Sequence, residues 1–464
     1  MTIWQPALDG RSGPRYRAIA DALEEDVAAG TLAPGARLPT HRDLAWRLGV
    51  TVGTVTRAYR EAERRGLVAG EVGRGTFVLP RAAAGGTLVI PTDGDDDRLD
   101  LRVNLPAINL GSDALSGTFA ELAALPPERL AGFLTYQPER GAARHRTAGA
   151  AWCARAGLDV PAREVVVTAG AQHGLLVALS ALVRPGDAVL VEELTYSGLK
   201  VLADMLRLRL IPVAMDADGL RPDALDAALA AEPARALYCQ ATLHNPTTAT
   251  MPTARRRDIA AVLARHDAIV IEDDVYGLLP EERPPPLVAF ARDRGVFVTS
   301  VSKGVAPGLR VGYLRAPEAL VGAMGAMVRS TMWMVAALPV EVATRWIEDG
   351  TADRAVAWHR RQAAARQKLL TRHLGHAQPV TQACSYHAWL PLPEPWRAQD
   401  FVTAAAAQGV DVTNPDIFVA GRATAPHAVR ICLGGTTTRD DLTRGLDTLA
   451  KVLRGRRQPL AAVV

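Results

Sequence analysis

Five short apolar runs set the tightest limit on how this chain folds. Val165–Thr168, Ala188–Glu192, Ala236–Cys239, Ala268–Asp273 and Val296–Thr299 are dominated by aliphatic and β-branched residues and show no polar alternation. A strand with one wet face alternates; a run that does not is buried on both faces. Helical stretches, Gln172–Leu182 and Thr253–His266 among them, lie between the runs. That order predicts an α/β fold with a mostly parallel sheet and helices on both faces. From about 317 to 376 the chain reads as helical and arginine-rich. Residues 385–455 mix strand-like runs, His387–Leu390 and Val429–Leu433, with helices. This predicts a small C-terminal α+β subdomain, placed at about 340–455.

At 464 residues the chain exceeds one small domain. It is 48% hydrophobic and 22% charged, the balance of a soluble globular protein. No apolar run is long enough to span a membrane, and the first residues lack the basic and apolar regions of a signal peptide. Cys153, Cys239, Cys384 and Cys432 are scattered with no C-x-x-C pair. That argues against a metal site or disulfide framework and fits a cytoplasmic location. Asp95-Asp96-Asp97 reads as solvated linker, since nothing nearby supplies further ligands. The whole linker is placed at 81–100, between a domain at 1–80 and another at 101–464.

The first domain has its own pattern. Residues 14–28 put Tyr16, Ile19, Ala20, Leu23 and Val27 on one helical face. Thr40 starts a second helix that Gly49 ends, and Thr51 caps a third. In the third, Val55, Tyr59 and Ala62 face the core, while Thr54, Arg57, Glu61 and Arg64 face outward. A hairpin follows, with Arg74 at its tip. Residues 37–74 carry eight arginines against four acids. Outward hydroxyls and guanidiniums near a helix start suit a DNA major groove, and a tip arginine suits a minor groove. The motifs Gly30-x-Leu-x-Pro-Gly-x-x-Leu-Pro39, Arg42-x-Leu-Ala45, Leu48-Gly-Val and Gly73-x-Gly-Thr-Phe-Val78 resemble the winged helix-turn-helix of GntR-type regulators. The resemblance implies double-stranded DNA as partner, with contacts at Arg42, Thr51, Thr54 and the wing at Arg74-Gly75. One departure stands out: Val52-Gly53 follow Thr51, where the family often has arginine first.

In the second domain, Lys303 lies in Thr299-Ser-Val-Ser-Lys-Gly-Val-Ala-Pro-Gly-Leu-Arg-Val-Gly-Tyr313, close to Ser300, Ser302 and Arg310. A lysine there can condense with an aldehyde while hydroxyls and a guanidinium hold a phosphate. Thr168–Gln172 turns from strand to helix, which favours a phosphate. Asn245 and the Glu272-Asp-Asp-Val-Tyr276 run follow strands whose C-terminal ends share one sheet edge, where open α/β folds bind ligands. A carboxylate at Asp273 can pair with a protonated pyridine nitrogen. His173 and His244 read as local packing or hydrogen-bonding groups, and Trp333, Trp346 and Trp358 as core or interface.

Residues 101–455 resemble fold-type I aminotransferases. The resemblance implies pyridoxal 5'-phosphate as cofactor, linked as an aldimine to Lys303. It implies Asp273 at the pyridine nitrogen, Asn245 and Tyr276 at the phenolic oxygen, and Tyr196 stacked on the ring. Gly170, Ala171, Gln172, Ser300, Ser302 and Arg310 would hold the phosphate. Tyr136 would reach a phosphate across a dimer interface, and Arg430 would clamp a substrate carboxylate. Leu194 and Thr248 depart from the family's usual proline and glycine. A winged helix joined to such a domain resembles the MocR subfamily of GntR regulators. That implies a head-to-tail homodimer whose cofactor domain senses an amine, an amino acid or the cofactor itself. The competing expectation is a working aminotransferase with a secondary DNA-binding module; a lyase or decarboxylase of the same fold ranks behind both.

Overall fold

The computed structural model describes residues 4–455, apart from 7, 9–13, 30, 33–34, 65–66, 72–74, 79–97, 108–111, 233, 422–423 and 436–437. The chain divides into two compact units, Met1–Thr87 and Leu88–Val464.

The first unit packs three helices, α1 (Arg15–Ala28), α2 (His41–Leu48) and α3 (Val52–Arg64), against an antiparallel pair, β1 (Val68–Glu71) and β2 (Gly75–Val78). Its core is built from Ile19, Leu23, Leu44, Val55, Ala58, Tyr59, Ala62, Val68 and Val78. Helix α2 starts where Thr40 accepts from the Asp43 amide at 3.2 Å and stops at Gly49, whose φ of 62° is left-handed. A side chain other than glycine is disfavoured there. Tyr59 brings a polar tip into this core, and its Oη donates to the Pro39 carbonyl at 2.9 Å. Arg74, the expected tip residue, lies outside the described residues.

The second unit is built on a seven-stranded sheet. After a short β3 (Leu99–Asp100) come β4 (Val165–Thr168), β5 (Ala188–Glu192) and β6 (Arg209–Val213). A two-stranded ribbon, β7 (Met215–Asp216) and β8 (Gly219–Leu220), precedes β9 (Ala236–Cys239), β10 (Ile269–Asp273), β11 (Gly295–Ser300) and β12 (Gly312–Arg315). The order across the sheet is β4-β12-β11-β10-β9-β5-β6. β12 runs antiparallel to both its neighbours; the other pairings are parallel. Four of the five apolar runs are buried at every strand residue, and in the fifth, β10, only Ile269 is partly exposed. β6 sits at the sheet edge, which is why Arg209 and Pro212 are tolerated in it.

A second layer holds the antiparallel pair β13 (His387–Pro391) and β15 (Ala428–Cys432), with β14 (Val410–Asp411) nearby. Its core joins Leu370, Leu374, Leu390, Phe401, Val429, Ile431 and Leu446. The large-sheet core continues through Val340, Trp346 and Val356. The small layer therefore begins inside the long helix Thr351–Leu374, later than position 340. It also recruits chain from the far side: β3 pairs in parallel with β14, and Leu101 joins the small core. Leu99 and Asp100 thus belong to a strand rather than to a linker.

Candidate functional site

The C-terminal ends of β9, β10 and β11 deliver Gln240, Asp273 and Ser300 to one edge of the sheet. Asp273 is 2% exposed. Tyr238 Oη and Gln240 Nε2 both donate to its Oδ2 at 2.9 Å, while Oδ1 has no partner among the described residues. Burial pushes its carboxyl up to about 6, against those two hydrogen bonds, which pull it down. An acceptor held this way, with one oxygen free, suits a cationic N–H.

Lys303 follows β11. Burial, aided by the Arg430 and Arg310 charges, draws its ammonium down to about 8. A lysine so placed is a far better nucleophile near neutral pH than a solvated one. Its Nζ donates to the Asn104 carbonyl, and Tyr386 Oη donates to the Lys303 carbonyl at 2.6 Å. Asn104 is a junction. Its Nδ2 donates to Tyr276 Oη at 2.8 Å and meets His387 Nδ1 at 3.0 Å. His387 Nε2 lies 3.3 Å from the His244 carbonyl. A proton on Nε2 satisfies both contacts, so His387 is neutral and accepts at Nδ1. Burial, with Arg430 nearby, holds its pKa well below the ordinary value. Because Tyr276 accepts from Asn104, its own O–H is free to donate elsewhere.

Around the strand-to-helix turn after β4, Gly170 has φ 82° and precedes the helix Ala171–Leu182. A Cβ at Gly170 would lie 2.7 Å from Arg310 Nη2, so glycine here is what admits the guanidinium. Arg310 Nη2 reaches the Ala169 carbonyl at 3.4 Å. Ser300 Oγ accepts from the Ser302 amide at 3.4 Å, and Ser302 Oγ is buried without a partner among the described residues. Gln172 Nε2 donates to the Gly198 carbonyl at 2.9 Å, and its Oε1 is likewise unpaired among them. A Cβ at Gly198 would lie 2.4 Å from the Tyr196 ring. The glycine leaves room for that ring against the start of the helix Ser197–Met205. Burial, then Asp273, raises the Tyr196 hydroxyl to about 12.

Arg430 and Asn245 meet. Arg430 Nη1 donates to Asn245 Oδ1 at 2.7 Å, Nη2 donates to the Arg102 carbonyl at 2.6 Å, and the guanidinium lies 4.8 Å from the Phe418 ring centre. Its Nε has no partner among the described residues. Thr248, in place of the family's glycine, has φ 63°, the left-handed conformation that glycine accommodates at no cost. Leu194 bridges to Val419 in extended backbone.

The structure thus brings together Gly170, Ala171, Gln172, Tyr196, Asn245, Asp273, Tyr276, Ser300, Ser302, Lys303, Arg310 and Arg430. Tyr136 is not brought to them within one chain. It is 81% exposed and packs on Trp333 at 5.7 Å between ring centres. His173 and His244 are local hydrogen-bonding groups: His173 Nδ1 accepts from the Ala169 amide at 3.1 Å, and His244 Nδ1 contacts Thr247 Oγ1 at 2.8 Å. Asn104, Tyr238, Gln240 and His387 also belong to the site, and the sequence does not single them out. Asn104 and His387 lie far from the other two in sequence, and Tyr238 and Gln240 straddle the end of a buried run with no motif to mark them. Among the described residues no cluster of His, Cys, Asp and Glu could hold a metal, and no helix is long and apolar enough to cross a membrane.

In the first unit, Arg42, Thr51 and Arg57 are exposed. Thr54 stands behind Thr51, with the two hydroxyls 2.9 Å apart and the Thr54 amide donating to Thr51 Oγ1 at 3.2 Å. Arg15, Tyr16, Thr51, Gly53, Thr54 and Arg57 line a cleft of about 290 Å³. Gly75 has φ 119°, and a Cβ there would lie 2.8 Å from Arg37 Nε.

Residues 108–449 match the family described as aminotransferase class I and II, and the chain belongs to it. Residues 15–78 match the bacterial regulatory proteins of the gntR family. That pairing is the architecture of MocR-type regulators. The chain is 29% identical to the HTH-type transcriptional regulator YdeF of Bacillus subtilis (strain 168), over 97% of this chain and 96% of that protein. It is 28% identical to PtsJ of Salmonella typhimurium, named a vitamin B6 salvage pathway transcriptional repressor, over 92% and 95%. Among solved structures it resembles LysN, an α-aminoadipate aminotransferase from Thermus thermophilus complexed with N-(5'-phosphopyridoxyl)-L-leucine. There the TM-score is 0.68 and the identity 23%, over 77% of this chain and 92% of that one.

Proposed function

We propose that this protein is a cytoplasmic, DNA-binding transcriptional regulator whose second unit holds pyridoxal phosphate and senses a primary amine, an amino acid or the cofactor itself. The observation that carries the reading is the coexistence of two things in one chain: a gntR-type DNA-binding unit, and a sheet-edge site where, beside a lysine, three buried polar atoms have no partner among the described residues. Those atoms are Asp273 Oδ1, Ser302 Oγ and Gln172 Oε1. They fit a phosphorylated pyridine. Asp273 would accept from the ring nitrogen and Tyr276 would donate to the phenolic oxygen, with Asn245 beside it. Tyr196 would cover the ring face. Ser300, Ser302, Arg310 and the amides after Gly170 would hold the phosphate.

Bound there, pyridoxal phosphate supplies an aldehyde that condenses with primary amines and a ring that withdraws electrons. Lys303 holds the proton and the amine that an incoming amine competes with. Arg430 would turn its fork to an incoming carboxylate, which requires leaving Asn245 Oδ1 or the Arg102 carbonyl. That exchange couples ligand to the small layer, because Arg430 lies on β15. The homodimer is head-to-tail, with Tyr136 completing the partner's phosphate site and the DNA units, including Arg42, Thr51, Thr54, Arg57 and the wing at Arg74-Gly75, facing operator DNA.

A working aminotransferase is the second reading, favoured by the complete set of Lys303, Asp273, Tyr276 and Arg430. Steady multiple turnover with an amino donor and a keto acid is its signature. The regulator is tested with the purified full chain, its own upstream DNA and pyridoxal phosphate. DNA affinity should change on adding cofactor or the right amine. Lys303→Ala should abolish the change while DNA binding persists. DNA affinity indifferent to cofactor, to amines and to Lys303→Ala would sink the sensor.

A further inference from the structure

Val52 opens α3 and is 44% exposed, although its side chain is wholly apolar. Its position is fixed by its surroundings. Thr56 Oγ1 donates to the Val52 carbonyl at 3.0 Å, and Thr51 caps the turn through the Thr54 amide. Gly53 follows, and neither packing nor backbone conformation asks for glycine there. A Cβ at Gly53 would meet only Thr51 Oγ1, at 3.8 Å, and its φ is not left-handed. What the missing side chain provides is bare backbone on the outer surface of the first turn, open to close approach by another molecule. Thr51, Thr54 and Arg57 border it, in a cleft shared with Arg15 and Tyr16.

An arginine at position 52 could donate to guanine O6 and N7. Valine neither donates nor accepts. Among the groups that base pairs present in a major groove, only the 5-methyl of thymine is apolar. We propose that Val52, seated close to the bases by Gly53, reads a thymine methyl group in the operator's major groove. The inference rests on the DNA-binding reading of this unit and assigns it a base preference.

The test begins with duplexes selected from random-sequence DNA by the full-length protein. Each thymine in the selected site is then replaced by deoxyuridine, which pairs alike but lacks the methyl. Affinity is measured at one fixed salt concentration. At the position Val52 reads, wild-type affinity should fall about fourfold, the equivalent of about 0.8 kcal/mol for one buried methyl-sized group. Val52→Ala should lose a similar factor on the thymine duplex and then be indifferent to deoxyuridine at that position. Val52→Thr, equal in volume, guards against a folding defect and should show a reduced penalty. A flat deoxyuridine scan with wild type, or a penalty that survives in Val52→Ala, overturns the proposal. Failure to select any sequence is a different result: it removes the DNA-binding reading itself.

Discussion

Asp273→Asn should make the cofactor-free protein more stable at neutral pH, and the gain should shrink as the solution is acidified. The carboxyl's pKa is raised by burial from 3.8 to about 6, so the folded state binds its proton more tightly than the unfolded chain does. A raised folded pKa stabilises fully below the unfolded value, and that stabilisation is lost as pH rises through the folded value. The shift of about 2 units corresponds to about 3 kcal/mol across that window. A little under half of it, on the order of 1 kcal/mol, falls between pH 5 and pH 7.5. Asparagine does not titrate. Its carbonyl oxygen can take over the two hydrogen bonds now made to Oδ2 by Tyr238 and Gln240. The assay is urea denaturation of both proteins without cofactor at pH 5 and 7.5. The gap in favour of the variant should widen by about 1 kcal/mol at the higher pH. With pyridoxal phosphate added, the order should reverse, since asparagine offers an N–H where the ring nitrogen needs an acceptor, and ligand binding stabilises only the protein that binds. Parallel stability curves at the two pH values would refute the picture of a strained, buried carboxylate.

Further outcomes are expected elsewhere. Lys303→Ala should lose the aldimine absorbance that the wild-type protein gains with cofactor, yet retain DNA binding in a mobility-shift assay. Arg430→Lys cannot serve both Asn245 Oδ1 and the Arg102 carbonyl. Lysine also lacks the fork that would meet a carboxylate with two parallel charge-assisted hydrogen bonds, one of which is worth about 1.5–3 kcal/mol, so spectral titration with amino acids should weaken roughly tenfold or more. Gly198→Ala forces the Tyr196 ring aside. It should lower cofactor affinity in a fluorescence titration and destabilise the protein by about 1–3 kcal/mol in thermal melts. Arg42→Ala should weaken DNA binding and reduce its salt dependence while leaving cofactor absorbance unchanged.

The parts of this fold that could be read from the sequence are those where burial forces a simple pattern. β5, β9 and β11 are buried at every residue, so their sequences carry nothing but apolar character until the strand ends. The polar residues that break each run then mark the sheet edge, and Asp273 and Lys303 are found there. β6 escaped because an edge strand faces water on one side and accepts Arg209 and Pro212. β12 escaped because its first two residues, Gly312 and Tyr313, close the motif around Lys303, and Arg315 cuts its apolar run short. The support under the site was hidden for a different reason. Tyr238 sits inside a buried run and looks like core, yet its hydroxyl holds Asp273. Asn104 and His387 are 283 positions apart and meet only because the first strand of the second unit is drawn into the small layer. In the first unit, the helix boundaries followed from local caps, Thr40, Gly49 and Thr51, which need no tertiary information.

The pairing of Leu99–Asp100 with Val410–Asp411 gives the small layer a handle. Arg98 is fastened there too, through a 2.7 Å ion pair with Asp411. Residues 98–100, the described residues that follow the first unit, are thus held on the layer that carries Arg430. A displacement of that layer therefore carries residues 98–100 with it.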